Sequence, residues 1–316
     1  MLSLPAFEAG TERAPFQYRA LTAWLYAAAD HLLHIPASLA RHLPPVMNTV
    51  DSFVTLTLAF VSLLVAVLGV RFALQTLTGT DNPWSRWGAL LVLPMAYFHY
   101  VLEFGHPCCT PLQLPYDLPS LAFFSLCTAL ILSDNLLWLY PVFALATLNR
   151  ESSIFLVLIL LLYRSATLQR NHWLSRRALS TGAHALCLAA IWETLRVLLH
   201  HHYHPAPGIA PVVHGFEIHI FDNLGYLLHP YYWTSFLSLF AFTWIFIYAH
   251  WTDVPNPGIR RMLWIGPIYL VAMYIVGVLS EIRIFGELIP IYAIAFTLLL
   301  RGYWQQHPRK LGTNAL

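Results

Sequence analysis

Between Asp51 and Arg71 the chain reads SFVTLTLAFVSLLVAVLGV and carries no charged side chain. The solvent that suits such a run is the hydrocarbon core of a bilayer, which an α-helix crosses in about 20 residues. Further apolar stretches cover 87–104, 180–199, 231–251, 262–280 and 285–301. A longer apolar region, 118–164, is interrupted at Ser133-Asp134-Asn135 and at Asn149-Arg150-Glu151. It reads as three short segments, 118–132, 135–149 and 152–164. The expected fold is therefore all-α, a polytopic transmembrane helix bundle of about nine hydrophobic segments. Composition agrees: 10% of residues are charged, against about 25% in soluble domains.

Positive charge gives an orientation. Arg71, Arg86, Arg164, Arg170, Arg176, Arg177, Arg260, Arg261, Arg301, Arg309 and Lys310 fall on one face of the alternating segments, and loops 104–117 and 201–230 contain no Lys or Arg. The basic loops are expected on the cytoplasmic side. That places the C-terminus in the cytoplasm, in a multi-pass integral membrane protein. The alternation requires an odd number of crossings within 118–164. Residues 1–20 lack an apolar leader and carry Glu8, Glu12, Arg13 and Arg19, so insertion is expected to rely on internal spans. Residues 1–47 form an arm. Its run ALTAWLYAAADHLLH is expected to lie as an amphipathic interfacial helix, with a tenth span as the alternative. Residues 48–316 form the membrane domain. The net charge of +2 gives no basis for a nucleic-acid partner; the evident partner is the lipid bilayer. Cys127 and Cys187 read as packing residues, and the vicinal Cys108-Cys109 as two free or separately modified thiols.

Charges close to hydrocarbon need partners or water, so each is a candidate for a role. Asn149-Arg150-Glu151 reads plainly as a helix junction. Its functional reading makes Arg150 a guanidinium clamp for a phosphate, with Glu151 holding the fork or acting as a base. Asp117, in LPYDLPSLAFF, reads as a helix N-cap or as an outward carboxylate that binds a metal or a sugar hydroxyl. Glu281 and Arg283 read as a surface ion pair, or, with Glu287, as a phosphate receiver beside acid–base carboxylates. Glu193 and Arg196 are spaced for an i,i+3 salt bridge. The histidine run His200, His201, His202 and His204, with His214 and His219, matches no zinc spacing. No metal site is assigned, and a divalent cation on the outer carboxylates is the one candidate cofactor.

Four blocks then take on a pattern: PFQYRALTAWL (15–25), LPYDLPSLAFF (114–124), ATLNRESSIFLV (146–157) and SEIRIFGELIPIYA (280–293). Together they resemble a group of multi-pass bacterial membrane proteins similar to the GT-C superfamily of glycosyltransferases, which implies a bacterial inner membrane as the location. The resemblance implies an outward-facing site that uses a polyprenyl-phosphate sugar donor. It makes Arg150, Arg283 and Asn149 the phosphate-binding candidates and Asp117, Glu151, Glu281 and Glu287 the catalytic ones. It places Arg19 on an outer interfacial helix. The chain departs from the family in having only Glu8 and Glu12 before the first block, where an acidic motif follows a first membrane helix. A transporter or flippase for an amphiphilic substrate and a non-catalytic assembly subunit are the competing classes. All of these readings require positions 117, 150–151 and 281–287 to gather on one surface and open into a shared hollow.

Overall fold

The computed structural model of the protein describes residues 19–33, 42, 49–80, 82–101, 115–166, 175–203, 212–213 and 216–306. Expectations for Glu8, Glu12, Arg13, Cys108, Cys109, Arg170, His204, His214, Arg309 and Lys310 lie outside the described residues, as does the C-terminus. The helices are α1 Ala20–Leu32, α2 Val50–Thr78, α3 Pro83–Leu90, α4 Val92–Tyr100, α5 Asp117–Leu132, α6 Leu136–Asn149 and α7 Ile154–Ser165. They continue as α8 Arg176–His202, α9 Ile220–Leu228, α10 Trp233–Leu237, α11 Thr243–Ala249, α12 Pro257–Met262, α13 Ile265–Val276 and α14 Ile289–Gln306. A two-residue antiparallel ladder, Val212–Val213 with Phe216–Glu217, is the small exception to the all-α expectation among the described residues.

Helix starts follow their polar residues. Thr49 accepts from the Ser52 amide to open α2, Ser175 from Ala178 to open α8, and Asn256 from Ile259 to open α12. These caps satisfy amide groups that have no partner inside the helix. Pro83 and Pro257 stand at the first helical position, where no amide hydrogen is needed.

Each of the expected apolar stretches is helical where it is described, but few are long enough to cross alone. Among the described residues four helices have the length and apolar character of a membrane span: Val50–Thr78, Arg176–His202, Pro257–Val276 and Ile282–Gln306. A fifth, Pro230–Leu237 with Leu239–Ala249, is bent by 67°. The expected continuous segment 231–251 is therefore broken. Phe240, Ala241 and Phe242 adopt positive φ of 52°, 52° and 63°, a left-handed turn that costs roughly 1–2 kcal/mol per non-glycine residue. Phe240 is held there by stacking on Tyr292, with centroids 3.9 Å apart. The 87–104 segment is likewise divided, into α3 and α4 meeting at Leu91.

The 118–164 region forms the expected three short helices. Asp134 takes φ 59° in the tight α5–α6 turn and pairs with Arg164 at the end of α7. The two other corners, at Asp117 and Arg150, meet at the opposite end of this unit. α1 has 13 residues and rises about 20 Å, short of a roughly 30 Å hydrocarbon core. It docks on the bundle through Tyr26 to Thr55 and Thr22 to Asn149. Cys127 is buried as expected, whereas Cys187 is exposed.

The last helix is the axis of the bundle. In Ile282–Gln306, 94% of the apolar window is buried, against 17% for Arg176–His202. Neighbours approach it closely because they carry small residues. Gly88 of α3 faces Thr297 with no room for a side chain; elsewhere in the bundle a Cβ on Gly69 of α2 would lie 3.0 Å from the Ser125 backbone of α5. Gly88→Val is expected to destabilise the full chain by about 1–3 kcal/mol through overpacking. Thermal unfolding in detergent measures this, and Thr297→Ala in the same chain should recover part of the loss.

Candidate functional site

The corner residues of α5 and α6 and the 3-10 turn before α14 (Ile282–Leu288) supply one buried ionic cluster. Asp117 is 2% exposed and stands at the start of α5. It does not cap that helix, since no side-chain cap bond forms there. Its carboxylate instead receives two arginines: Arg150 Nη1 donates to Oδ1 at 3.2 Å, and Arg283 Nη1 donates to Oδ2 at 2.8 Å. Arg150 Nη1 also lies 3.2 Å from Glu287 Oε1. Arg283 Nη2 donates to Glu281 Oε2 at 2.5 Å. Arg283 and Glu287 are 4% and 0% exposed, so the expected surface pair of Glu281 and Arg283 is anchored in the interior by its arginine.

Glu287 has the fullest set of partners. Ser152 donates to its Oε1 at 2.6 Å. The Tyr269 hydroxyl lies 2.9 Å from Oε2 and 2.8 Å from the Ile284 carbonyl oxygen, two acceptors for one hydrogen. Burial alone would lower the Arg150 pKa, but Glu287 and Asp117 beside it more than offset burial and raise it. Arg150 therefore stays charged. Arg19 lies over the ring of Tyr116, 3.6 Å from its centroid, and within electrostatic reach of Asp117. Burial pushes the Tyr116 phenol up to about 12, with Arg19 pulling the other way. Three carboxylates (Asp117, Glu281, Glu287) thus pair with two guanidinium groups (Arg150, Arg283), and Arg19 stacks on Tyr116 beside them.

Two of the expected site residues take other positions. Glu151 was expected to hold the Arg150 fork; Asp117 and Glu287 hold it instead. The Glu151 carboxylate lies 3.6 Å from His200 Nε2, and its carbonyl oxygen accepts from Trp192 Nε1 at 2.7 Å. Asn149 was expected to help bind phosphate, but its amide hydrogens are already used. Nδ2 donates to the Tyr116 carbonyl at 3.0 Å and to Ser120 Oγ at 2.8 Å, while Oδ1 accepts from Thr22 at 2.8 Å. It is a clasp joining α1, α5 and α6. The i,i+3 pair of Glu193 and Arg196 forms as expected, at 3.4 Å.

The residues gather at one end of the bundle, joined by their own ion pairs. The cluster reaches the surface chiefly at Glu281, whose side chain is 32% exposed. Among the described residues no three His, Cys, Asp or Glu side chains gather as a metal-ion site. Sequence reading missed Ser152 and Tyr269, which hold Glu287. Ser152 was detectable as a hydroxyl directly after Arg150-Glu151; Tyr269 lies in an apolar run and leaves no local signal.

Compared with known proteins, the chain matches no family model, no curated protein and no solved structure. Its described residues form a helical bundle with four or five candidate spans, compatible with a multi-pass membrane protein.

Replacing Asp117 should expose the logic of the cluster. Asp117→Asn leaves two buried guanidinium groups short of a counter-charge and is expected to cost about 3–5 kcal/mol. Glu281→Gln, at the exposed edge, should cost less than about 1 kcal/mol. Unfolding of the two variants in detergent compares them directly, and equal losses would contradict the burial account.

Proposed function

We propose that the protein is a multi-pass enzyme of a bacterial inner membrane, GT-C-like in kind, that transfers a sugar from a polyprenyl-phosphate donor at the outer face. The observation that carries this reading is the shared Asp117 carboxylate. Arg150 and Arg283, more than a hundred residues apart, meet on it at one end of the bundle. The positive-inside argument assigns that end to the outer side, because Asp134 and Arg164 mark the other end. The crossings through the three short helices and an outer, interfacial α1 belong to this reading.

In it, Arg283 and Arg150 receive the donor phosphate, each guanidinium having five N–H donors to divide between Asp117 and the ligand. Glu281, at the exposed edge, takes the proton of the acceptor hydroxyl. The acceptor oxygen then bonds to the anomeric carbon, the anomeric carbon–phosphate oxygen bond breaks, and the arginines stabilise the departing lipid phosphate. Glu287 and Asp117 position the arginines. Glu151, paired with His200, stands at the rim as a second base.

The competing reading, transport of an amphiphilic substrate, is favoured by one observation: the span broken by 67°. Discontinuous membrane helices line substrate sites in transporters. Membranes containing the full chain, supplied with a labelled polyprenyl-phosphate sugar, separate the two. Transfer that falls about 100-fold in Arg150→Ala and Arg283→Ala supports the enzyme. Flux of the labelled lipid across vesicles without any transfer supports transport.

A further inference from the structure

Tyr100, at the end of α4, is 5% exposed, and its hydroxyl has no hydrogen-bond partner among the described residues. That hydroxyl occupies the space that a side chain on Gly286 would fill. Gly286 follows Arg283 by three residues within the 3-10 turn Ile282–Leu288. Side chains three apart in a 3-10 helix eclipse one another. The phenol therefore stands on the same face of the turn as Arg283, and it lies within electrostatic reach of Asp117, Arg150, Glu287 and Arg283. Arg283 Nε is itself buried and without a hydrogen-bond acceptor among the described residues. The other two nitrogens of that guanidinium hold Asp117 and Glu281.

Buried donors are almost always paired, because an unmade hydrogen bond is expensive away from water. Here two unpaired donors fall on one face of one turn, beside a charged group. An acceptor oxygen bearing negative charge suits them best, since bonds of that kind are shorter and stronger than neutral ones. We propose that the Tyr100 hydroxyl and the Arg283 Nε–H form a two-donor seat for one oxygen of a phosphoryl group. Gly286 is bare so that the phenol can reach this seat. Glu281, the partly exposed carboxylate on the same guanidinium, is the group that an arriving anion displaces. The seat deepens the phosphate-binding reading above and rests on it. Tyr100 is thus a ligand-positioning residue.

The test uses the full chain in nanodiscs, titrated with a short-chain isoprenyl phosphate, with inorganic phosphate and the uncharged isoprenol as parallel probes. Tyr100→Phe removes only the hydroxyl. It is expected to weaken isoprenyl phosphate binding about tenfold while leaving the melting temperature unchanged or raised, since the lost hydroxyl had no partner. Gly286→Ala, which fills the space of the hydroxyl, should weaken binding similarly. Arg283→Lys, which keeps the charge and loses Nε–H, should weaken it further. Tyr248→Phe, whose hydroxyl bonds the Leu263 carbonyl and Tyr292 instead, should alter stability alone. Isoprenyl phosphate binding without inorganic phosphate binding identifies a lipid source. Equal binding of both, with the same dependence on Tyr100, identifies free phosphate. Wild-type affinity in Tyr100→Phe, with loss in Arg283→Lys, overturns the seat and leaves the phosphate reading standing. A lowered melting temperature in Tyr100→Phe with unchanged affinity also overturns the seat, because the hydroxyl is then structural. Failure of the wild-type protein to bind any probe removes both readings together.

Discussion

One carboxylate with two guanidinium groups organises this molecule. Asp117 opens α5, Arg150 turns the corner out of α6, and Arg283 sits in the turn before the central helix. Charges are expensive to bury, and a buried charge without a partner is worse than an apolar substitute. The three segments are therefore held to one relative position, because any sliding leaves a bare charge. Glu287 reinforces this by joining Arg150, Ser152 and Tyr269 at a single side chain. Around that knot the apolar surfaces need only pack, and packing by itself has little directional preference.

Much of this arrangement was legible in the chain. Long uncharged runs reveal helices because the bilayer imposes a length and a polarity. The breaks at Ser133-Asp134-Asn135 and Asn149-Arg150-Glu151 were visible as polar residues between apolar ones, and both are turns. Membership of the cluster was legible for Asp117, Arg150, Glu281, Arg283 and Glu287, because charges are rare here and each one requires a reason. Their pairing was not. Glu151 was the natural partner for Arg150 by adjacency, yet the helix start turns it toward His200 and Trp192. Partner choice depends on tertiary distance, to which neighbouring positions give no clue. Asn149 illustrates the same limit: its type suited a phosphate or a turn, and only packing against Tyr116, Ser120 and Thr22 decides.

The broken span left the weakest trace. Residues 239–242 read LFAF, with no glycine or proline to announce a left-handed turn. The conformation is imposed from outside, by the stack of Phe240 on Tyr292 and by Tyr248, which binds both Tyr292 and the Leu263 carbonyl. Tertiary contacts override local preference there, so the apolar pattern suggested a straight helix.

The shortness of α5, α6 and α7 reaches beyond the protein. With 16, 14 and 12 residues, they rise about 24, 21 and 18 Å, well under an unperturbed hydrocarbon slab. In the membrane orientation proposed above, lipid tails meeting this unit would face a mismatch that thinning of the surrounding leaflets relieves. In that orientation headgroups would be drawn inward toward the Asp117 corner, and a lipid would have less distance to climb before its polar end met the arginines.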